Sequence, residues 1–188
     1  DAKMGYEACL QALEHPATAM GNVGAGTGAT VGKLCGMERA SKTGIGCYAM
    51  ALGELQVAAV VVVNALGDIF DPANGAKIAG LMNEDRTAFG DSCEELWKLG
   101  CPQNLFTGNT TIGAVITNGQ FNKAQMNKIA SMTRNAYARC INPVGTMADG
   151  DSIYAASIGD VKADINVTGT LAAHVMERAI VKAVESAR

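Results

Sequence analysis

Leu55-Gln56-Val57-Ala58-Ala59-Val60-Val61-Val62-Val63 is almost wholly aliphatic and rich in β-branched residues, which favour an extended chain. From Ala58 to Val63 every position is apolar, so the strand it forms is expected to be covered on both faces. A second apolar run, Ile45 to Leu52, precedes it, and Gly53-Glu54 lies between the two. A Gly-X pair joining two such runs signals a type II′ hairpin, because glycine takes the positive φ required at the first turn position. The centre of the fold is therefore a β-hairpin whose most buried strand ends at Asn64.

Working outward, Met4 to Glu14 has helical spacing and closes at His15-Pro16. Gly21 to Gly36 holds six glycines and reads as loop. Beyond Asn64, turns are expected at Asp68, Asp71-Pro72 and Asn74-Gly75. Asp91 is placed to cap a short helix over Ser92 to Leu99, and Ile112 to Thr117 reads as a strand. Asn122 caps a helix through Cys140, with Met126, Ile129, Ala136 and Tyr137 on one side, stopped by Asn142-Pro143. Ser152 to Ile158 is a further strand and Thr168 to Ala187 a last helix. Strands interleaved with amphipathic helices predict an α+β layered fold in one domain, residues 1–188, with helices outside stacked sheets.

Composition narrows the function. Hydrophobic residues make up 48% and charged residues 18%, as in a globular protein. The longest aliphatic run, Val57 to Val63, falls far short of the roughly 20 residues of a membrane helix. With a net charge of −3, scattered basic residues and 5% aromatics, neither an electrostatic footprint nor a stacking platform for nucleic acid is present. Cys9, Cys35, Cys47, Cys93, Cys101 and Cys140 form no C-x-x-C pair, and His15 and His174 lie near no cysteine cluster, so no zinc site is expected. The thiols read as reduced and the compartment as cytoplasmic. No metal or cofactor is expected.

Four stretches carry candidate chemistry. Gly24 to Lys33 fails the phosphate-loop test, because Gly28 stands one residue too close to Gly32-Lys33 and Leu34 replaces the magnesium-holding Ser/Thr. Gly24, Gly26 and Ala29 fit the loose dinucleotide fingerprint, but no helix period follows. A nucleotide-binding module is the non-enzyme alternative. Asn64 is either a turn residue or an amide donor able to stabilise an oxyanion. Thr110-Thr111 before Ile112 is ordinary β-propensity, or places Thr110 to become an N-terminal nucleophile by cleavage after Asn109. The freed α-amine, with an intrinsic pKa of about 7.7–8.0, would then serve its own hydroxyl as general base. Asp149-Gly150-Asp151-Ser152 is a solvated turn or a hydrogen-bonding relay, with too few acidic neighbours for calcium.

Gly21-Asn22-Val23-Gly24-Ala25-Gly26-Thr27-Gly28-Ala29-Thr30, Val63-Asn64-Ala65-Leu66-Gly67-Asp68, Asn109-Thr110-Thr111-Ile112-Gly113 and Asp149-Gly150-Asp151-Ser152 together resemble the ordered motifs of the DmpA-type aminopeptidases. That family includes β-peptidyl aminopeptidases and nylon-oligomer hydrolases. The resemblance covers essentially the whole chain. It implies an αββα layered sandwich of N-terminal-nucleophile hydrolase type, cut between Asn109 and Thr110 into fragments 1–109 and 110–188. The fragments would stay associated as heterodimers and group into homo-oligomers, commonly tetramers. By motif, Thr110 would be the nucleophile, Asn64 part of the oxyanion hole and Lys33 a neighbour of the nucleophile. Asp149 and Asp151 would orient the nucleophile's amine and hydroxyl. The implied activity is hydrolysis of short peptides, amino-acid amides or esters. Family members carry a sizeable segment ahead of the Met4–Glu14 helix, so this chain is expected to lack its N-terminal part. The Asn-Thr pair matches the nylon-oligomer branch, whereas some aminopeptidases use Gly-Ser. Ornithine acetyltransferases, which also process themselves at a threonine, are resembled less, and a self-processing acyltransferase is the second enzyme reading.

Overall fold

A computed structural model of the chain describes residues 1–16, 18–100 and 108–187. The first part runs α1 (Ala2–Glu14), β1 (Thr30–Val31), β2 (Ser41–Lys42), β3 (Ile45–Leu52), β4 (Leu55–Val62), β5 (Asp68–Phe70), β6 (Lys77–Ala79) and α2 (Ser92–Leu99). The second part runs β7 (Ile112–Gly119), α3 (Lys123–Thr133), α4 (Asn135–Cys140), β8 (Ile141–Asn142), β9 (Ser152–Val161) and α5 (Ile165–Glu185).

The hairpin forms in the expected register. Leu52 faces Leu55 across Gly53-Glu54, and Gly53 adopts φ 60°, as a type II′ turn requires. A four-stranded sheet grows from it in the order β3-β4-β7-β9. β7 is antiparallel to β4 and parallel to β9. A parallel pair needs a long crossover, and α3 and α4 lie within it.

Burial alternates along the central strands. Leu55, Val57, Ala59, Val61 and Val115 are buried against the helices, and α5 and α3 form the covering layer. α5 seats on β3 at Gly46, where a Cβ would overlap Ala179 and Ala183 of the helix backbone. Asp164 caps α5 by accepting from Asn166 and Val167 N–H. The expectation of a strand covered on both faces holds for one face only among the described residues. Ala58, Val60 and Val62 are half-buried, and their same-face neighbours Ile116 and Ile158 are 37% and 74% exposed. Aliphatic residues on that open face still pack laterally on their cross-strand partners.

Two local expectations change. The helix expected from Asn122 to Cys140 is broken at Arg134 into α3 and α4. The Thr133 hydroxyl turns back to bond Ile129 O at 2.8 Å, and such back-bonding bends helices. Asp68, expected in a turn, begins β5 and is buried. Its carboxylate accepts from Leu81 N–H, Ser92 N–H, Ser92 Oγ and Lys77 Nζ, tying β5 to β6 and to the start of α2. Burying a charge is tolerated when it is paired and hydrogen-bonded in this way.

The remaining elements fall close to expectation. α1 forms with all its residues exposed, and α2 is capped by Asp91. Cys9, Cys35, Cys47, Cys93 and Cys140 are free thiols, and Cys101 lies outside the described residues.

Candidate active site

Sheet order decides which motifs meet. β7 and β9 run parallel side by side, so the residues that enter them are neighbours: Asn109 bridges to Asp149, and Ser152 N–H donates to Thr111 O at 3.1 Å. β4 runs antiparallel to β7, which brings its end, Asn64, beside the start of β7. There Thr110 N–H donates to Asn64 O at 2.8 Å. The glycine loop supplies the fourth side. Gly32 (φ 68°) packs on the backbone of Gly80 and Leu81 with no room for a Cβ, and its N–H and that of Lys33 donate to Gly67 O and Leu66 O. This delivers Lys33 to Asn64.

Lys33, Asn64, Asn109, Thr110, Asp149 and Asp151 therefore converge. Lys33 Nζ donates to Asn64 Oδ1 at 2.8 Å and lies 3.4 Å from both Asn64 O and Gly108 O. Asn64 Nδ2 donates to Gly108 O at 2.9 Å, and Asn64 Oδ1 also accepts from Thr30 N–H. The Thr110 hydroxyl donates to Asn109 O, the carbonyl just before it in the chain, at 2.6 Å. Asp151 Oδ1 accepts from Thr111 N–H at 2.8 Å. Asp149 Oδ2 accepts from the N–H and hydroxyl of Thr146, while its Oδ1 is buried with no hydrogen-bond partner among the described residues.

The electrostatics follow from this packing. Burial lowers the Lys33 ammonium to a pKa of about 8, against an opposing pull from Asp149. Burial raises Asp151, with the Asp149 charge adding to the rise and the Thr111 N–H opposing it. A cavity of about 390 Å³ opens beside the cluster, lined by Thr30, Lys33, Leu34, Met37, Asn64 and Gly108–Asn109 among others. A partly apolar cavity with a few convergent polar groups is the usual form of a small-molecule site.

Three participants escaped sequence reasoning. Thr146 holds Asp149, and only its position near an acidic pair hinted at this. Tyr137, read as a core residue of its helix, directs its hydroxyl at Thr111 O and Ser152 O, at 3.4 and 3.3 Å, where β7 and β9 begin. Gly150, with no side chain to attract notice, donates its N–H to Asn109 O at 2.8 Å. The nucleotide reading finds no support, because Gly24–Gly26 is a single 3-10 turn that leads into β1 rather than into a helix. No cluster of metal-ligating side chains occurs among the described residues.

Residues 2–188 match peptidase family S58. An uncharacterized aminopeptidase of Mycobacterium leprae (strain TN) is 34% identical over 172 residues, 86% of this chain and 45% of that protein. A 6-aminohexanoate-oligomer endohydrolase of Kocuria sp. (strain KY2) is 30% identical over 179 residues, 87% of this chain and 50% of that protein. The chain thus spans about half the length of the curated relatives it matches. Among solved structures, the L-aminopeptidase D-Ala-esterase/amidase of Ochrobactrum anthropi, a variant of the Ntn hydrolase fold, superposes with a TM-score of 0.62. It is 17% identical, over 91% of this chain and 46% of its own. A protein of Pyrococcus horikoshii OT3 superposes with a TM-score of 0.63 at 20% identity, over 97% of this chain and 49% of its own. At these identities the likeness carries the fold, the layered α+β arrangement of that hydrolase type. With the fold shared and the family matched from residue 2 to residue 188, the chain belongs to peptidase family S58.

Proposed function

We propose that this chain is a self-processing amide hydrolase that acts on short peptides, amino-acid amides or esters, with Thr110 as its nucleophile. The observation that carries the reading is the Thr110 hydroxyl, 2.6 Å from the carbonyl oxygen of the peptide it would cut, inside a cluster of Lys33, Asn64, Asp149 and Asp151. In the first reaction Thr110 Oγ attacks the Asn109 carbonyl carbon. The Oγ–C bond forms, the C–N bond breaks, and the hydroxyl proton ends on the Thr110 nitrogen. We assign that transfer to Lys33 in its neutral form, whose Nζ lies 3.4 Å from Asn64 O, the oxygen to which Thr110 N–H donates. Water then hydrolyses the ester, leaving a carboxylate on Asn109 and a free hydroxyl on Thr110.

In the second reaction the new α-amine takes the proton from Thr110 Oγ as it attacks a substrate carbonyl. The Asn64 amide, released from Gly108, stabilises the oxyanion, and Asp149 and Asp151 hold the amine and hydroxyl in place. Activity against small amides is further supported by the aminopeptidase and oligomer-hydrolase relatives. Intact mass under denaturing conditions tests the reading. Two species that meet between Asn109 and Thr110 are expected, with a single uncut mass and no amidase activity in Thr110→Ala. Activity that survives in Thr110→Ala overturns it.

A further inference from the structure

We propose that the two reactions use different oxyanion donors, and that the backbone N–H of Gly150 serves the self-cleavage. This rests on Thr110 being the self-cleaving nucleophile. In the continuous chain the Asn64 amide is engaged: Nδ2 donates to Gly108 O at 2.9 Å, one residue upstream of the peptide to be cut, and Oδ1 accepts from Lys33 and Thr30. That N–H becomes available to a substrate once residue 108 moves away. The Asn109 carbonyl has another donor in place, the Gly150 N–H at 2.8 Å. As Thr110 Oγ closes on the carbonyl carbon, negative charge gathers on that same oxygen, and a fixed N–H aimed at it gains strength without reorganisation.

The geometry around Gly150 favours this role. Asn109 and Asp149 form a parallel bridge just ahead of β7 and β9, so the Gly150 N–H is aimed by the sheet ladder rather than by a flexible side chain. On the opposite side of the same peptide, Thr110 N–H donates to Asn64 O, so the reacting amide is held at both its oxygen and its nitrogen. A Cβ at residue 150 would lie 2.7 Å from Thr110 Oγ1, so glycine leaves the attacking hydroxyl its space. The bonds made and broken are those of the N-to-O shift, and the N–H only donates to the oxyanion.

The test replaces single backbone amides by esters in the full chain, using the α-hydroxy acid at the chosen position. Glycolate at position 150 removes the N–H and adds no atoms. The control is the hydroxy analogue of Ser152, which deletes the next ladder bond, to Thr111 O, away from the reacting carbonyl. Cleavage is followed by mass spectrometry below the unfolding midpoint of each chain. We expect self-cleavage to slow by about 100-fold at position 150 and to stay near the unmodified rate at position 152. Equal rates in the position-150 ester and the unmodified chain overturn the proposal while leaving Thr110 as nucleophile. An unmodified chain that never cleaves at 109–110 overturns both. Amide hydrogen exchange in Thr110→Ala gives a second reading that does not depend on the ester chain folding. Protection of the Gly150 amide is expected, and exchange as fast as in an open loop overturns the proposal.

Discussion

Lys33 is the side chain whose ionisation separates the two proposed reactions. Its pKa of about 8, lowered by burial, lies close to that of an unperturbed α-amine. In the uncut chain Thr110 has no α-amine, so we assign an ionisation near pH 8 in the self-cleavage rate to Lys33, an assignment that Lys33→Arg tests. The neutral amine is the form that accepts a proton, so cleavage should speed up as pH rises through about 8 and level off above it. Lys33→Arg stays protonated across this window, and its cleavage should be slow and flat with pH. A rate series from pH 6 to 10 on freshly refolded chain checks both. For stability the sign is the same. The folded chain sheds this proton more readily than the unfolded chain, so Lys33 opposes folding below pH 8 and that opposition lifts towards pH 10.5. The residue-level clustering was only partly legible in the sequence. Thr110, Asn64 and the Asp149–Asp151 pair drew notice as ordered motifs, whereas no spacing rule could say that residues 33, 64, 110 and 149 meet. Gly150 contributes through its backbone, which leaves no chemical trace in the sequence.

Among the elements, the hairpin, the Asp91 and Asn122 caps and the long last helix were legible because their signals are local. A Gly-X turn or an Asn cap acts within four residues of itself. Asp68 shows the opposite case. Its partners come from residues 77, 81 and 92, too far along the chain for a turn preference to reveal them, and so an aspartate that looks like turn chemistry is an anchor between elements. Asp68→Ala leaves Lys77 without its carboxylate and two buried N–H donors without acceptors. The expected loss is on the order of 3 kcal/mol, or roughly 6–12 °C in Tm for a chain of this size. Thermal denaturation against the unsubstituted protein measures it. A loss below about 1 kcal/mol, the worth of an exposed ion pair, would mean that the region relaxes around the gap. Because Asp68 also holds the backbone at Leu81, against which Gly32 is packed, the variant should loosen Lys33 as well.

At the level of the whole molecule, the proposed cut falls between strands that stay paired. β4 belongs to fragment 1–109, β7 and β9 to fragment 110–188, and the β4–β7 ladder runs from Val57↔Thr117 to Val62↔Ile112. α5, from the second fragment, also packs on β3 and β4 of the first. The two pieces should therefore migrate as one particle in size-exclusion chromatography and part only in denaturant; separation in native buffer would contradict the shared sheet. The parallel β7–β9 pairing has one more consequence. The reacting peptide is gripped only where three strands far apart in sequence have already found their places, so a chain with misplaced strands never assembles the grip. Scission would then act as a stamp that the molecule puts on itself when its sheet is correctly ordered, and the ratio of cut to uncut chain in a sample would count how many copies had reached the native arrangement.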